Sequence, residues 1–447
     1  MRVLPCVLCI ALIAAGVAVA ADEPWRANLP GPLGDADFAA VDADEAALGW
    51  LLFYDPILSG NRTVSCATCH HPRFATGDGV SLGLGDGGVG LGPERVADPE
   101  NLPEQRIPRN SPPLFNLGAH EMTVLFADGR IEVDTARASG LRTPLEDEMV
   151  AGFASLLSAQ TMFPVLSPDE MAGHYGENDV SIAVRQGRLT GEGGAWDILS
   201  DRVAAIPAYA QAFADLDPGI AAGRPIDFTD ISDAIAAFVA FEWRSDTSPF
   251  DAYLRDGTPL PDPAMAGMAL FYGEAGCAAC HSGPLLTDHD FHAVGAPQIG
   301  PGKAERFESH QRDIGRMRVT GRAEDAYAFR TPPLRNVTRT GPWGHAGGHS
   351  DLAAFLRDHA APRVGLAAYE MQAVLPDLLG AAADDAILAD PAERAAIAAA
   401  VTLPDRPLDA DDIADLMAFL ASLEDAVALT GRLGIPDAVP SGLPVER

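Results

Sequence analysis

Two copies of one five-residue pattern constrain this chain more than any other feature: Cys66-Ala-Thr-Cys69-His70 and Cys277-Ala-Ala-Cys280-His281. In Cys-x-x-Cys-His the two thiols add to the vinyl groups of a haem and the adjacent imidazole takes one axial position on its iron. A single match could be a dithiol redox pair. Two matches, each led by the same Leu-Phe-Tyr triplet (52–54 and 270–272), point to two covalent c-type haems. The other two cysteines, Cys6 and Cys9, lie in the first twenty residues, so no thiol is left for a structural disulfide.

Those twenty residues read as a secretory signal peptide, 1–20. Arg2 precedes an apolar run from Val7 to Val19 that ends in Ala18-Val19-Ala20, the order of charged, apolar and small-residue regions that a signal peptidase requires. The run is short for a membrane-spanning helix of about 20 residues. The mature chain therefore carries no membrane span, and the expected compartment is the periplasm. The chain holds 31 basic and 63 acidic residues, a formal charge of −32. Nucleic acid is excluded as a partner, because binding it needs a basic face.

The haem segments belong to an imperfect internal repeat. Each half closes on an amphipathic helical pattern: Ile231, Ile235, Phe238, Val239 and Glu242 after Asp230, then Ile413, Leu416, Met417 and Leu420 after Asp411 and Asp412. Apolar residues at three- and four-residue spacing with acids in the first turn predict helices. Ser245 to Pro263, rich in Pro, Asp and Gly, reads as a linker, and the glycine-rich stretch 78–92 as a loop. The fold expected is mainly α, with two cytochrome c-like domains at 22–247 and 248–425 and a tail at 426–447 that wraps back over the first domain.

The chain resembles the di-haem cytochrome c peroxidases, which include MauG-like enzymes. The resemblance runs from about Leu48 to Leu423 and is carried by Leu58-Ser59-Gly60, Ser65 to His70, Arg109-Asn110-Ser111-Pro112, Asp128-Gly129-Arg130 and Glu170-Met171 in the first half. In the second half it is carried by Gly276 to Gly283, Asp290-Phe291-His292, Thr331 to Asn336 and Gly341-Pro342-Trp343-Gly344-His345. It implies hydrogen peroxide as substrate at the first haem and an electron-transfer role for the second. Gln160, Pro164 and Glu170 match the family's peroxidatic pocket; Glu170 would move a proton between the peroxide oxygens and Gln160 would orient them. The family's second axial ligand on the second iron lies fourteen residues beyond the His of Pro-x-x-His. Counted from His345 that is His359, with Met371 the fallback. A calcium ion between the domains would take Asn110, Thr340 and Pro342.

This sequence departs from the family in three places. Many members close the first iron with a His from the loop after the haem motif, yet residues 72–110 hold no His and no Met. An open first iron is therefore expected, with His120 and His174 the remaining candidates to cap it. The second iron gains His359 where the family has Met or Tyr. Ala127 stands where members place a Trp between the haems, which leaves Trp243 or Trp343 as substitutes or as core. His289, His292, His310 and His349 have no assigned metal; His292 is expected beside a haem propionate. Three functions follow: a peroxidase fed by a small periplasmic donor (a cytochrome c or a cupredoxin), a MauG-like oxidase acting on a protein substrate, or a di-haem electron carrier without turnover. A homodimer is compatible with each.

Overall fold

The computed structural model describes residues 23–137, 139–303, 311–378 and 384–447. The expected signal peptide, 1–20, and His310 lie outside them. The described chain is mostly short helices joined by long irregular segments. Three small antiparallel sheets complete it: Gly88–Val89 with Val96–Ala97; Val124–Leu125 with Ile131–Val133, which in turn pairs with Leu141–Arg142; and Phe291–His292 with Phe329–Arg330. No described helix is long and apolar enough to cross a membrane.

The repeat is visible as two equivalent helix crossings. In the first half, helix Ala43–Phe53 packs on Phe228–Glu242; in the second, Asp262–Tyr272 packs on Ala410–Ala421. Each crossing is closed by a glycine three residues before the Leu-Phe-Tyr triplet. A Cβ at Gly49 would stand 1.7 Å from the Ala234 carbonyl oxygen, and one at Gly267 1.9 Å from that of Asp415. No side chain fits between such backbones, so glycine is required at both positions. The triplets then supply matching aromatic clusters. Phe53 lies 5.1 Å from Phe238 and 5.2 Å from Trp243, and Phe271 lies 5.1 Å from Phe419. Two separate apolar cores result, one around Phe53 and Phe238 and one around Phe271 and Phe419.

The first part of the segment read from sequence as a linker is a buried junction, while 255–259 and 261–263 are exposed. Ser245, Ser248, Phe250 and Asp251 are buried, and Pro249–Asp256 is helical. Polarity in the first part does not mean exposure, because several of its polar groups meet partners from distant parts of the chain. The Asn116 amide donates to the Ser245 carbonyl at 2.8 Å, the Asn336 amide donates to the Ser245 hydroxyl at 3.0 Å, and Asp425 accepts from the Asp246 and Thr247 amides. Asp251 forms a fully buried ion pair with Arg335 at 2.8 Å. The glycine-rich stretch is irregular as expected, but Ser81, Leu82, Leu84 and Asp86 within it are buried. Arg95 makes that burial tolerable by donating to the carbonyls of Leu84, Gly85 and Gly90, which would otherwise be left without partners. In the tail, Trp50 donates to the Gly434 carbonyl, Ser441 to Asp55, and Glu446 accepts from Thr68 inside the first haem motif.

A second junction joins residues that follow the first haem motif to one that follows the second. Arg109 reaches Asp128 at 2.7 Å and grips Asp313 with two parallel bonds of 2.7 and 2.8 Å, all three side chains being buried. Burial opposes ionisation of Asp313, but the guanidinium outweighs it and holds the carboxyl down to about 2. An unfolded Asp titrates near 4, so this stabilisation is complete above about pH 4 and is lost as pH falls through the folded value. Replacing Arg109 with Leu strands the buried Asp313 carboxylate, while Asp128 keeps Arg130 at 3.1 Å, and should cost about 3–5 kcal/mol at neutral pH. Urea unfolding of both proteins between pH 7 and pH 2 checks this: the gap should narrow as the carboxylates protonate.

Candidate functional site

The first haem motif is a single helical turn, Cys66–Cys69, entered from Ser65 and held by the Thr68 hydroxyl, which accepts from the Ser65 amide at 3.0 Å. His70 follows at its end. The His70 Nδ1 lies 2.9 Å from the Thr76 carbonyl oxygen, and the His281 Nδ1 lies 3.1 Å from that of Leu286. A carbonyl only accepts, so the ring proton sits on Nδ1 and the Nε2 lone pair is left for a metal. Burial lowers both imidazole pKa values, which keeps them neutral, the form that ligates. The loop must double back sharply to bring each carbonyl round, and Ala75, Thr76 and Leu286 adopt left-handed backbone angles of 51°, 67° and 56° to do so.

The cysteines do not behave as a redox pair. Burial pushes the Cys66 thiol up to about 12 and that of Cys277 up to about 11, and raises Cys69 and Cys280 as well. Catalytic dithiols work through a lowered thiol pKa; these thiols suit attachment.

On the far side of His281 stands His359, on helix Leu352–Ala360. The two ring centres are 6.3 Å apart. Two imidazole–metal bonds of about 2 Å, plus about 1 Å from each nitrogen to its ring centre, add to about 6 Å, so one iron fits between them. His359 is oriented by stacking on Phe355, with ring centres 5.3 Å apart and planes at 14°, and burial followed by the nearby His281 pushes its pKa down to about 4. Met371, the fallback ligand, is exposed. His345, from which the count starts, is buried against Phe329 with ring centres 3.8 Å apart and binds nothing through Nδ1.

Gln160 ends helix Leu156–Thr161, Pro164 opens the next turn, and Glu170 lies in the turn Pro168–Ala172. Among the described residues the buried Gln160 Oε1 has no hydrogen-bond partner, so it offers an acceptor to something small. Glu170 lies deep in the protein but keeps some accessible surface. Burial raises its pKa, the cations Lys303 and Arg130 partly offset that, and its charge contributes to the raised pKa of Cys69 in the first haem motif. Burial pulls Lys303 down to about 8.

The two candidates to cap the first iron are turned elsewhere. His120 is exposed, and the His174 ring lies 3.4 Å from Glu177 on one side and accepts from the Glu104 amide at 3.4 Å on the other. Trp243 packs among Phe53 and Phe238, and Trp343 donates to the Val337 carbonyl within the second core. His289 faces Glu121, and His349 bonds Asp358 at 2.8 Å. His292 bonds Asp288 at 2.8 Å, close to Cys280.

Sequence reasoning did not single out Arg330. It is buried, burial pulls it down to about 10, and among the described residues no carboxylate pairs with it. Its side chain reaches only the Phe126 and Thr331 carbonyls, each at 3.3 Å, while its backbone amide donates to the Ala127 carbonyl at 2.8 Å. An unpaired buried cation calls for an anion, and haem propionates are anions of that kind. With buried thiols, two aimed imidazoles, a ligand pair at the right separation and this cation, the residues present fit c-type haem. For the calcium expectation, the Asn110 amide donates to the Val80 and Ser81 carbonyls, which leaves Oδ1 to face elsewhere, and the Asn110 backbone amide bonds the His345 carbonyl close in sequence to Thr340 and Pro342.

Paired Cys-x-x-Cys-His turns in a mainly helical chain define a protein that carries haem covalently. Residues 43–258 match the family described as di-haem cytochrome c peroxidase. The methylamine utilization protein MauG of Methylorubrum extorquens is 32% identical over 319 residues, which cover 71% of this chain and 68% of MauG. The cytochrome c551 peroxidase of Pseudomonas aeruginosa is 29% identical over 69% of each chain. Among solved structures, a MauG-like protein associated with microbial copper homeostasis covers 90% of this chain, and 94% of its own, at a TM-score of 0.56 and 24% identity. The chain belongs to the di-haem cytochrome c peroxidase family, whose members carry two c-type haems, and it is a peroxidase-type oxidoreductase. Its relatives include both peroxidases and MauG.

If His359 completes the second iron, replacing it with Gly should convert one low-spin haem signal to high-spin, and added imidazole should restore it. Visible absorption and magnetic circular dichroism check this; an unchanged low-spin signal would remove His359 from the iron.

Proposed function

We propose that this protein reduces hydrogen peroxide at the haem carried by His70, with electrons relayed through the haem held between His281 and His359. When bound, haem would supply the redox centre at which peroxide is reduced. The chain's own residues do the rest. His70, fixed by the Thr76 carbonyl, would hold the iron, and Gln160 and Glu170 would receive the peroxide. The Gln160 Oε1 accepts a hydrogen bond from peroxide and orients it. Glu170 takes a proton from the near oxygen and returns it to the far one, so the O–O bond breaks with a water as leaving group. Burial raises its pKa, which makes the carboxyl a stronger base and readier to take up that proton.

The observation that carries this reading is an acceptor, Gln160 Oε1, buried without a hydrogen-bond partner among the described residues, ten residues before a half-buried carboxyl, Glu170, whose charge acts on Cys69 of the first haem motif. An electron carrier has no use for either. A second reading, a MauG-like oxidase that spends the peroxide on a partner protein, is favoured by the absence of any His or Met from residues 72–110, which leaves the first iron open in the resting protein. Under both readings export to the periplasm brings the donor or substrate within reach, and a calcium ion at Asn110, Thr340 and Pro342 would bridge the halves.

Glu170→Gln keeps the side chain's size and removes its titration. Peroxide consumption should fall about 10²- to 10⁴-fold, with both haem spectra unchanged. Turnover that survives intact would remove Glu170 from the acid–base role. Steady-state turnover with a reduced small cytochrome c as donor separates the two readings: fast oxidation of the donor supports the peroxidase, and its absence supports the oxidase.

A further inference from the structure

Behind the turn that carries Glu170 lies a cluster which neither haem uses. Asp86, His174 and Glu177 place one potential ligand atom each within 4.8 Å of one another. Asp86 is buried, His174 half-buried and Glu177 exposed, so the cluster opens to solvent on one side. One amide organises both carboxylates: Asn61 Nδ2 donates to Asp86 at 2.9 Å and to Glu177 at 2.7 Å. That amide is held in turn by Asn178, which donates to its Oδ1 at 2.9 Å. Thr63 and Asn101 add bonds to Asp86 at 3.2 Å each.

The charges in this cluster do not balance. Two carboxylates face one another, and among the described residues neither forms an ion pair with a lysine or arginine; the His174 contact with Glu177 is the single ion-pair geometry present. Burial raises the Asp86 pKa, and the Glu177 charge adds to the rise against the hydrogen bonds from Asn61, Asn101 and Thr63. A buried carboxylate beside a second one, with an imidazole completing a triangle, is a donor set for a divalent cation.

We propose that Asp86, His174 and Glu177 bind a divalent zinc-type metal ion, separate from both haem irons. One imidazole and two carboxylates leave a fourth position for water, and the imidazole favours zinc over calcium or magnesium. Donors around zinc lie about 3.5 Å apart, so side-chain rotation closes the present triangle. Coordination through Nδ1 moves the ring proton to Nε2 and displaces the long contact from the Glu104 amide, which lies at the exposed surface. The ion would clamp the Glu170 turn from outside. His174 and Glu177 follow that turn directly, and the Asp86 amide donates to the Glu170 carbonyl at 2.9 Å. The binding claim stands whether or not Glu170 is the acid–base residue.

The test uses the haem-loaded protein, stripped with chelator and incubated with zinc alone, with metal per chain measured after gel filtration. Wild type should retain one zinc, and its zinc absorption-edge spectrum should show one imidazole among oxygen ligands. Glu177→Gln and His174→Gln, both at the accessible side of the cluster, should each weaken binding by about 10- to 100-fold or more, since even outer-shell changes cost that much. His120→Gln, an exposed histidine elsewhere, should retain the ion. Unchanged haem absorbance shows that each variant is folded. No retained zinc in wild type, or equal retention in wild type and both cluster variants, would overturn the proposal, as would retention of calcium in place of zinc.

Discussion

Everything proposed for this molecule depends on a hydrogen bond made twice, from a histidine Nδ1–H to a backbone carbonyl five or six residues further on. The bond fixes tautomer and ring direction together, so that Nε2 of His70 and of His281 can serve iron. Its geometric demand is a tight reversal after each Cys-x-x-Cys-His, met at the expense of left-handed backbone at Thr76 and Leu286. A reversal of that kind persists only when the surroundings over-determine it. The helix crossings at Gly49 and Gly267 supply the frame, since each sets the Leu-Phe-Tyr triplet, and with it the start of the haem segment, against the closing helix of its own half.

From equivalent frames the two halves diverge on the far side of the imidazole. In the second half a helix brings His359 to a ring-centre distance of 6.3 Å from His281, the spacing one shared iron would need. In the first half no such imidazole faces His70 among the described residues, and the proposed pocket rests on Gln160 and on Glu170, whose pKa burial raises. Arg109 ties these unlike halves together by holding Asp128 of one and Asp313 of the other. Arg330 lies near the same junction, its backbone amide donating to the Ala127 carbonyl.

How much of this was legible in the sequence divides along a physical line. Covalent haem attachment requires fixed residues at fixed spacing, so Cys66 to His70 and Cys277 to His281 could be read directly. Gln160, Glu170 and His359 were legible only through a family pattern, because one amide, one carboxyl and one imidazole have no signature of their own. Local composition misled where distant partners decide burial. Ser245 to Pro263 looked like a linker because its polarity is local, while the groups that satisfy it, Asn116, Asn336 and Asp425, are far away in sequence. The glycine-rich stretch 78–92 read as a loop and is one, but its burial was not legible, since it depends on Arg95 folding back on its carbonyls. The Arg109 fork could not be foreseen for the same reason: Asp313 is one acid among 63. The glycines at the helix crossings were legible in principle, at the same offset from both triplets, although only the structure shows what they touch.

The most direct test of the account is an electron paramagnetic resonance spectrum of the as-isolated ferric protein, before and after one equivalent of hydrogen peroxide. The account predicts one high-spin and one low-spin signal, with the high-spin signal lost when peroxide is added, as an open haem on His70 beside a haem between His281 and His359 requires. Two low-spin signals, both indifferent to peroxide, would contradict it: the first iron would then be capped, and the pocket of Gln160 and Glu170 would have no iron to serve.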